Sequence, residues 1–464
     1  MMDRCSLVYV LLINAVLVFG MACSAAAVEL KAGTAKAVIT PDIATQPIGV
    51  MGVPLVEVTH DIYARALVLN DGAHRLVIVT YDLNCLDVAT PILRQRLRDE
   101  LGIGPEYFIP LATHNHCAPI QIVPDNFAYG RWLAERSFSL IQEAIANEAG
   151  PVQVEFGFGA AYFLISLGNA PVDYEVQVLK VTRKGQPIAI LFNHPTHPLQ
   201  EADNKIDPGH PGYAVDEIER QLPGVMAMYA DACGGNQFTV RMMKADGDTV
   251  KAFGHDSAKV ALEVAAGPLR DVTGPISSRM KTISLSLAKP MPEEAAKKLA
   301  ANYPQDIGFV PYPEDHRETN WVRSLLRHYK ENIPFPTKTT DMVCTDDAFL
   351  VEAYDTPREF PCRYEEVIVT RIGPLVVAAM QGEVCAPIGM RIKDAFRYET
   401  PVMAFGYMGE HNLYIPTREI VRLGLYQAQV IQIQYASPVG WAPTVEDEMV
   451  GAVKGMVREA LRGE

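Results

Sequence analysis

The sequence predicts an α/β protein in which mixed sheets and flanking helices form one large domain, with a ligand site at the strand ends. Three observations predict this class. Apolar, β-branched runs alternate with segments of helical periodicity. The alternation recurs along the chain, which is typical of βαβ units. Polar residues of the kinds that bind ligands directly follow several apolar runs.

The first predicted βαβ unit spans residues 75–116. RLVIVTYD at 75–82 is almost wholly apolar or β-branched, as expected for a strand buried on both faces. Helical periodicity follows at 88–101, and EYFIPLATHNH at 106–116 predicts the next strand. These two strands should therefore be parallel neighbours, joined by a helix.

The same alternation continues through the rest of the chain. The further predicted elements are strands at 187–194 and 224–232, helices at 211–222 and 248–266, two strands around a Gly373-Pro374 turn within 365–383, and an amphipathic helix at 444–462. Residues 303–365, rich in Pro, Tyr, Asp and Arg, predict an excursion over one side of the core. The sequence contains no repeats and no low-complexity linker, so one domain is expected.

The first 27 residues predict an export signal. Arg4 gives a positive start, residues 7–22 are almost unbroken apolar, and Ala25-Ala26-Ala27 offers a cleavage site before Val28. An apolar stretch of about 16 residues is short for a membrane span. We therefore expect a secreted or periplasmic mature chain of residues 28–464.

Charge and cysteine content restrict the partners and the compartment. The formal net charge is -14 and the sequence has no basic run, which argues against nucleic acid as a partner. Six cysteines follow the predicted signal, and an oxidising compartment permits disulfides. Cys344 and Cys362 bracket a polar stretch and are the expected pair.

Histidines follow two of the predicted strands. His114 and His116 form an H-x-H motif, and residues i and i+2 of a strand point to the same side, so both imidazoles can reach one centre. NHPTHP at 193–198 holds His194 and His197 in a turn that two prolines make rigid. The alternative for this turn is that proline orders it and the histidines are incidental.

Three further polar residues are weaker candidates on their own. Glu383 ends an apolar run after a glycine, and a buried carboxylate there needs a cation or a metal. Tyr414 lies at a predicted loop tip, where tyrosines usually pack or form hydrogen bonds. His210, in DPGHPGYA, is a possible pocket residue.

Seven stretches together resemble the neutral/alkaline, non-lysosomal ceramidases, zinc amidases that cleave the N-acyl bond of ceramide. The stretches occur in the family's order, over residues 29 to 440. They are AGTAKAVITPD at 32–42, DIYARALVLNDG at 61–72, RLVIVTYDL at 75–83, THNHCAP at 113–119, NHPTHP at 193–198, QGEVCAPIGMRIK at 381–393 and LYIPTREI at 413–420.

The resemblance implies a zinc site and a catalytic histidine. Carried over onto the matching motifs, the zinc ligands are His114, His194, Glu383 and Tyr414. His116 becomes the catalytic histidine beside the metal. Two nitrogens, a carboxylate and a phenolate form a reasonable Zn²⁺ ligand set that leaves room for water or a substrate oxygen.

The chain departs from the family at the nucleophile. Gln237 stands where the family's G-D-x-S-P turn has its serine, with Gly235 in place of the aspartate and Phe238 in place of the proline. Glutamine does not act as a nucleophile in this way. The arginine expected near SLGNAPVDYE is absent, and we expect the family's C-terminal immunoglobulin-like domain to be missing as well.

The sequence therefore predicts a secreted zinc-dependent hydrolase that cleaves an N-acyl amide, ceramide or a related acyl substrate, with metal-activated water. His197, His210, Cys117 and Cys233 are possible pocket residues, and Cys233 is a less favoured substitute nucleophile. The alternatives are an inactive, metal-stabilised homologue that binds lipid or glycan, and a metal-dependent ester or phosphoester hydrolase.

Overall fold

The structure is a computed structural model of the chain. It describes residues 29–44, 49–50, 53–121, 126–201, 204–240, 245–302, 320–335, 340–345, 348–353, 361–409, 413–433 and 437–463, and within these it describes the backbone alone for 49–50, 53, 340–345 and 348–353. The predicted signal segment lies outside the described residues. Across the described part the predicted fold class is confirmed: mixed sheets and flanking helices form an α/β structure.

The strands are numbered in chain order. They are β1 Lys31–Val38, β2 Gly49–Val50, β3 Val53–Pro54, β4 Glu57–Val58, β5 Tyr63–Asn70, β6 Arg75–Tyr81, β7 Phe108–Ala112, β8 Val152–Ala160, β9 Leu164–Ser166, β10 Glu175–Arg183, β11 Gln186–His194, β12 Lys205–Ile206, β13 Met226–Asp231, β14 Gln237–Thr239, β15 Arg270–Asp271, β16 Ile276–Ser286, β17 Thr340–Thr345, β18 Ala348–Ala353, β19 Cys362–Ile372, β20 Leu375–Met380, β21 Glu383–Val384, β22 Val402–Phe405 and β23 Tyr414–Ile415.

The helices are numbered in the same way. They are α1 Ala89–Leu101, α2 Phe127–Ala146, α3 Gly209–Gln221, α4 Gly247–Ala266, α5 Glu293–Ala300, α6 Trp321–Glu331, α7 Ala386–Phe396, α8 Arg418–Leu423, α9 Tyr426–Ile433 and α10 Val445–Arg462. Asp246 caps α4, since its side chain accepts a hydrogen bond from the Thr249 backbone N–H.

Three larger sheets build the body of the protein. Their strand orders are β1-β5-β6-β7, β13-β11-β10-β8-β15 and β16-β19-β20-β22. Each sheet contains one parallel pair, namely β6 with β7, β11 with β13, and β20 with β22, and its other pairs are antiparallel. The predicted βαβ units are the parallel pairs of the first two sheets.

The sheets share one apolar core and carry helices on their other faces. Leu67, Leu191 and Val377, one from each sheet, lie in this shared core. The opposite face of the first sheet packs on α1 and α2, that of the second on α3 and α4, and that of the third on α7 and α10. Because all three sheets converge on one core, the loops that follow their parallel strands can meet.

Most elements predicted from the sequence are present within two or three residues of their expected ends. Much of the predicted 303–365 excursion falls outside the described residues. Cys362 is a buried free thiol, and the side chain of its expected partner, Cys344, lies outside the described residues. Across the described helices, none combines the length and the apolar character that crossing a bilayer requires.

Candidate metal centre

Three buried side chains converge on one point. Each of these residues offers one ligand atom, and the three atoms all lie within 4.8 Å of one another. The residues are His114, His197 and Glu383, and at this spacing they could hold a metal ion. Glu383 Oε2 is 3.1 Å from His114 Nε2 and 3.0 Å from His197 Nε2. The hydroxyl of Tyr414 is 2.8 Å from the same nitrogen of His197. The centre therefore brings together two imidazole nitrogens, a carboxylate oxygen and a phenol oxygen.

Each sheet supplies part of this centre. His114 follows β7, His197 follows β11, and Glu383 follows β20. The short strands β21 and β23 then run parallel, with Glu383 and Tyr414 as register partners. Parallel pairing of these two strands therefore places the carboxylate beside the phenol, although 30 residues separate them in the chain.

Two close backbone approaches fix the carboxylate. Gly382 has φ +86°, and a Cβ there would lie 2.6 Å from the carbonyl oxygen of Leu413. A Cβ at Gly235 would lie 2.3 Å from the carbonyl oxygen of Glu383. The sequence resemblance aligns Gly235 with an aspartate of the family, and the chain here has no space for a side chain at that position.

The electrostatics of the centre suit a cation. Burial alone would raise the pKa of Glu383, but His114 and His197 hold that pKa well below its usual range. Burial lowers the pKa of His114, which favours the neutral imidazole that ligates metals. Burial and the Glu383 carboxylate raise the pKa of Tyr414, so its phenol is protonated in the absence of a cation.

The tautomer of His197 is set by its backbone surroundings. Its Nδ1 lies 3.2 Å from the carbonyl oxygen of Gly234, an acceptor only, so Nδ1 carries the proton. Nε2 then presents its lone pair to Glu383 and Tyr414. The ring is nearly parallel to those of Phe238 and Tyr414, at centroid distances of 4.8 and 5.7 Å. These two rings and the Gly234 carbonyl therefore fix its orientation.

Gln237, which the sequence resemblance aligns with the family's nucleophile, holds the turn that carries His197 in place. Its Oε1 accepts the Asp173 backbone N–H at 2.6 Å, and its Nε2 donates to the carbonyl oxygens of Asp173 at 3.0 Å and Pro195 at 2.5 Å. Its own backbone carbonyl accepts the His197 N–H at 3.0 Å. Both ends of the amide are thus engaged with backbone, and the residue is fully buried.

His114 has a strained backbone. Its φ is +55°, and Tyr407, whose ring centroid lies 4.6 Å away, has φ +54°. Positive φ is uncommon for such residues and concentrates at functional sites. Strand β7 ends at Ala112, so the i, i+2 argument for the H-x-H motif does not apply: His114 and His116 lie in a loop. Their rings still meet, with centroids 4.5 Å apart.

Asn84 and His116 complete the surroundings of His114. Asn84 Nδ2 lies 3.4 Å from His114 Nδ1, and Asn84 Oδ1 has no hydrogen-bond partner in the described part of the chain. Turning the amide would let Oδ1 accept the Nδ1 proton and leave Nε2 free to ligate. Nε2 of half-buried His116 lies 3.0 Å from Nε2 of His114. Asn84 and Tyr407 were not singled out in the sequence, although Asn84 follows β6 at the same sheet edge.

His194 lies outside this group, contrary to the sequence prediction. It is the last residue of β11, and strand alternation places it on the face of Ile190 and Phe192, which packs on α3 and α4. Its ring neighbours include Phe163 and Phe253. Neither ring nitrogen has a hydrogen-bond partner among the described residues. His197, predicted only as a pocket residue, takes the place expected for His194.

His210 is unsuited to ligate through its remaining nitrogen. Its ring centroid is 6.5 Å from that of His194, and its Nδ1 accepts the Leu199 backbone N–H at 2.9 Å. Burial lowers its pKa, so the ring is neutral and its proton must sit on Nε2. Nε2 is then a donor without a lone pair for a metal. His210 belongs to the helix-facing surroundings of His194.

The two cysteines predicted near the pocket are buried. Burial raises the pKa of the Cys233 thiol to about 12, which suppresses the thiolate that a nucleophile requires. Its side chain packs against Gly389. Cys117 is fully buried, and its backbone N–H donates to Asn115 Oδ1 at 2.8 Å. Burial of both thiols therefore argues against either cysteine as a nucleophile.

Comparison with known proteins places this geometry in context. No protein-family model matches the sequence, and no curated protein sequence matches it either. Several solved structures do match its fold, among them the following two. One is a neutral ceramidase from Pseudomonas aeruginosa, with a TM-score of 0.68 at 18% identity over 93% of this chain and 74% of that one. The other is a ceramidase complexed with C2, with a TM-score of 0.67 at 18% identity over 94% and 76% of the respective chains. The chain therefore has the fold of the neutral ceramidases.

Proposed function

We propose that the protein is a zinc-dependent hydrolase that cleaves an N-acyl amide, ceramide or a related acyl substrate. The observation that carries the proposal is the convergence of His114, His197 and Glu383 within 4.8 Å of one another, with Tyr414 alongside. Nitrogen and oxygen donors in this number and closeness match a catalytic zinc site. The similarity to ceramidase structures supports an acyl substrate, and the signal-like segment 1–27 supports export as part of the same proposal.

His114, His197, Glu383 and Tyr414 would hold the ion. When bound, zinc would polarise the substrate carbonyl and lower the pKa of a neighbouring water molecule toward neutrality. The Gly234 carbonyl and the Asn84 amide orient the two imidazoles, which limits the reorganisation needed during the reaction.

His116 would transfer the proton. It is half-buried and touches the centre through the 3.0 Å contact between its Nε2 and that of His114, so one side of its ring can face a substrate. In the proposed reaction it takes a proton from the attacking water and returns it to the leaving amine nitrogen. An imidazole suits both transfers near neutral pH.

Water is the proposed nucleophile because the chain lacks the family's serine. Both polar ends of the Gln237 side chain are engaged with backbone, and the Cys233 thiol is buried with a raised pKa. The same observation favours a second candidate function. A side chain at the nucleophile position that only holds the backbone in place also fits an inactive, metal-stabilised protein that binds a lipid or glycan.

The test combines metal analysis with turnover. We expect the purified protein to contain stoichiometric zinc and to hydrolyse at least one member of a panel of N-acyl sphingoid bases and N-acyl amino acids. Glu383→Gln should lose the zinc and reduce turnover by roughly a thousand-fold or more, since the removed charge contributes several kcal/mol to holding and using the ion.

Three outcomes separate the candidates. Full activity in a zinc-free Glu383→Gln protein would refute the metal mechanism. Stoichiometric zinc without turnover of any panel member would favour the binding protein. Turnover of aryl esters or phosphates, with no cleavage of any amide, would show that the protein is an ester or phosphoester hydrolase instead.

A further inference from the structure

A group of exposed apolar side chains borders the metal centre. We name it the apolar rim. Its members are each between 39% and 79% exposed, and they are Tyr162, Ile165, Leu167, Val240, Leu423 and Tyr426. Large apolar side chains exposed singly are normal, whereas a contiguous group usually marks a binding surface.

The sequence around the rim is unusual in its charge. Residues 156–172, 232–240 and 423–445 contain no Asp, Glu, Lys or Arg, in a chain of which 21% is charged. At that overall frequency, segments of this total length would be expected to contain several charged residues. The six rim residues all lie within these three segments. The three segments that carry the rim are therefore uncharged, with Arg241 and Arg422 directly at the ends of two of them.

The fold brings the three segments into one surface. Strands β9 and β14 pair antiparallel, with Ile165 opposite Phe238. The Val240 N–H continues this pairing by donating to the Phe163 carbonyl at 3.0 Å. Gly168, just after β9, packs against Leu425 between α8 and α9, so the third segment adjoins the first.

The rim contacts the metal centre through Tyr426, and Phe238, the strand partner of rim residue Ile165, makes a second contact. The Phe238 ring stacks on His197 with centroids 4.8 Å apart, and the Tyr426 ring meets Tyr414 edge to face at 5.9 Å. Both contacted residues are part of the proposed zinc site. A surface that seats on the rim would thus lie directly beside the reacting centre.

We propose that the apolar rim docks the protein on the surface of a zwitterionic lipid bilayer and presents the metal centre to that surface. The proposal rests on the proposed function, because an N-acyl lipid resides in such a surface. Apolar and tyrosine side chains on a neutral patch can enter the interfacial region without placing a charge there. The net charge of -14, together with the lack of charged residues within the three segments that carry the rim, argues against an anionic membrane as the partner.

The experiment measures co-sedimentation with phosphatidylcholine vesicles. The variant carries Val240→Glu and Leu423→Glu, which place two carboxylates on the rim without altering a proposed ligand. Its partition coefficient should fall at least about tenfold, since each charge must be dehydrated to enter the interface. The matched control is Val56→Glu, a similarly exposed valine in another part of the chain, which should bind within about twofold of the unmodified protein.

A second measurement guards against misfolding of the double variant. In the unmodified protein, amide hydrogen exchange in residues 161–167 should slow when vesicles are added, while exchange in α5 should not change. The proposal is overturned if vesicle binding is absent, if it survives both substitutions, or if it requires phosphatidylserine. A concentration-dependent dimer that the double variant dissolves would instead assign the rim to a second copy of the chain.

The two proposals fail separately. Glu383→Gln should bind vesicles as the unmodified protein does, because the rim is independent of the ion. The rim variant should retain hydrolysis of a short-chain, water-soluble N-acyl substrate. Loss of vesicle binding alone therefore tests the rim, and loss of soluble turnover alone tests the hydrolase.

Discussion

The two histidines of NHPTHP lie three residues apart and are both buried, yet their surroundings differ completely. His197 contacts the Glu383 carboxylate, the Tyr414 hydroxyl and the Gly234 carbonyl. His194 lies among Phe163, Phe253 and His210, and no hydrogen-bond partner for its ring is found within the described residues.

The difference follows from where β11 ends. His194 is still in the strand, so its side chain must point to one of the two sheet faces, and alternation gives it the helix-covered face. Pro195 ends the ladder, and the turn then directs His197 past the sheet edge toward the other two sheets. The comparison teaches that a ligand is selected by its position relative to the strand end, because only beyond that end can side chains from three sheets meet.

The largest expected effect separates the two histidines directly. His197→Gln should remove the zinc and lower turnover by roughly a thousand-fold or more, because a ligand is lost. His194→Gln, with the same change of side chain, should keep stoichiometric zinc and most of the activity. Metal analysis and steady-state turnover of both variants check this. Zinc loss in His194→Gln with retention in His197→Gln would reverse the assignment and restore the sequence prediction.

A smaller effect tests the brace behind His197. Gln237→Ser leaves the Asp173 N–H and the Pro195 carbonyl without hydrogen-bond partners, which should lower the free energy of unfolding by about 2–4 kcal/mol. The loosened turn should weaken zinc affinity by about 10–100-fold, as loss of an orienting partner does.

The matched control for the brace is Gln177→Ser. Gln177 is also buried and bonds to the backbone of Val402 and Ala404. We expect similar destabilisation by urea unfolding, with unchanged zinc affinity. A gain of amidase activity in Gln237→Ser would show instead that this position remains the nucleophile site.

The smallest effect comes from the pH dependence of His194. Burial lowers its pKa from 6.5 to about 3, so below pH 6.5 the unfolded chain takes up a proton that the folded chain refuses. The neutral ring therefore makes its full contribution to the free energy of unfolding above pH 6.5, and this contribution is lost as the pH falls toward 3. Between pH 6.5 and 4 this loss amounts to about 2–3 kcal/mol.

His194→Gln removes that proton uptake. Urea unfolding of chelator-treated protein measures the effect. As the pH is lowered, the free energy of unfolding of the variant should rise relative to that of the unmodified protein by this amount. A constant difference between the two proteins from pH 7 to 4 would mean that the His194 ring reaches water or a partner, and the contrast with His197 would weaken.

Local pattern alone determined most of the architecture. The apolar runs at 75–82 and 187–194, and the helical periodicity at 88–101, predict β6, β11 and α1 because burial on a sheet or a helix face imposes its period on the sequence. The candidate residues after these runs were recognisable for the same reason, since polar side chains that interrupt a buried run need partners.

Tertiary structure decided which of those residues meet. Sequence motifs favoured His194, and no local signal distinguishes it from His197, because the choice depends on the residue at which the ladder to β13 stops. Three further features are contacts between segments far apart in the chain. They are the pairing of Glu383 with Tyr414, the close approach of Gly235 to the Glu383 backbone, and the hydrogen bonds of the Gln237 side chain. A sequence records which side chains are available, and only the packing of three sheets on one core determines their distances.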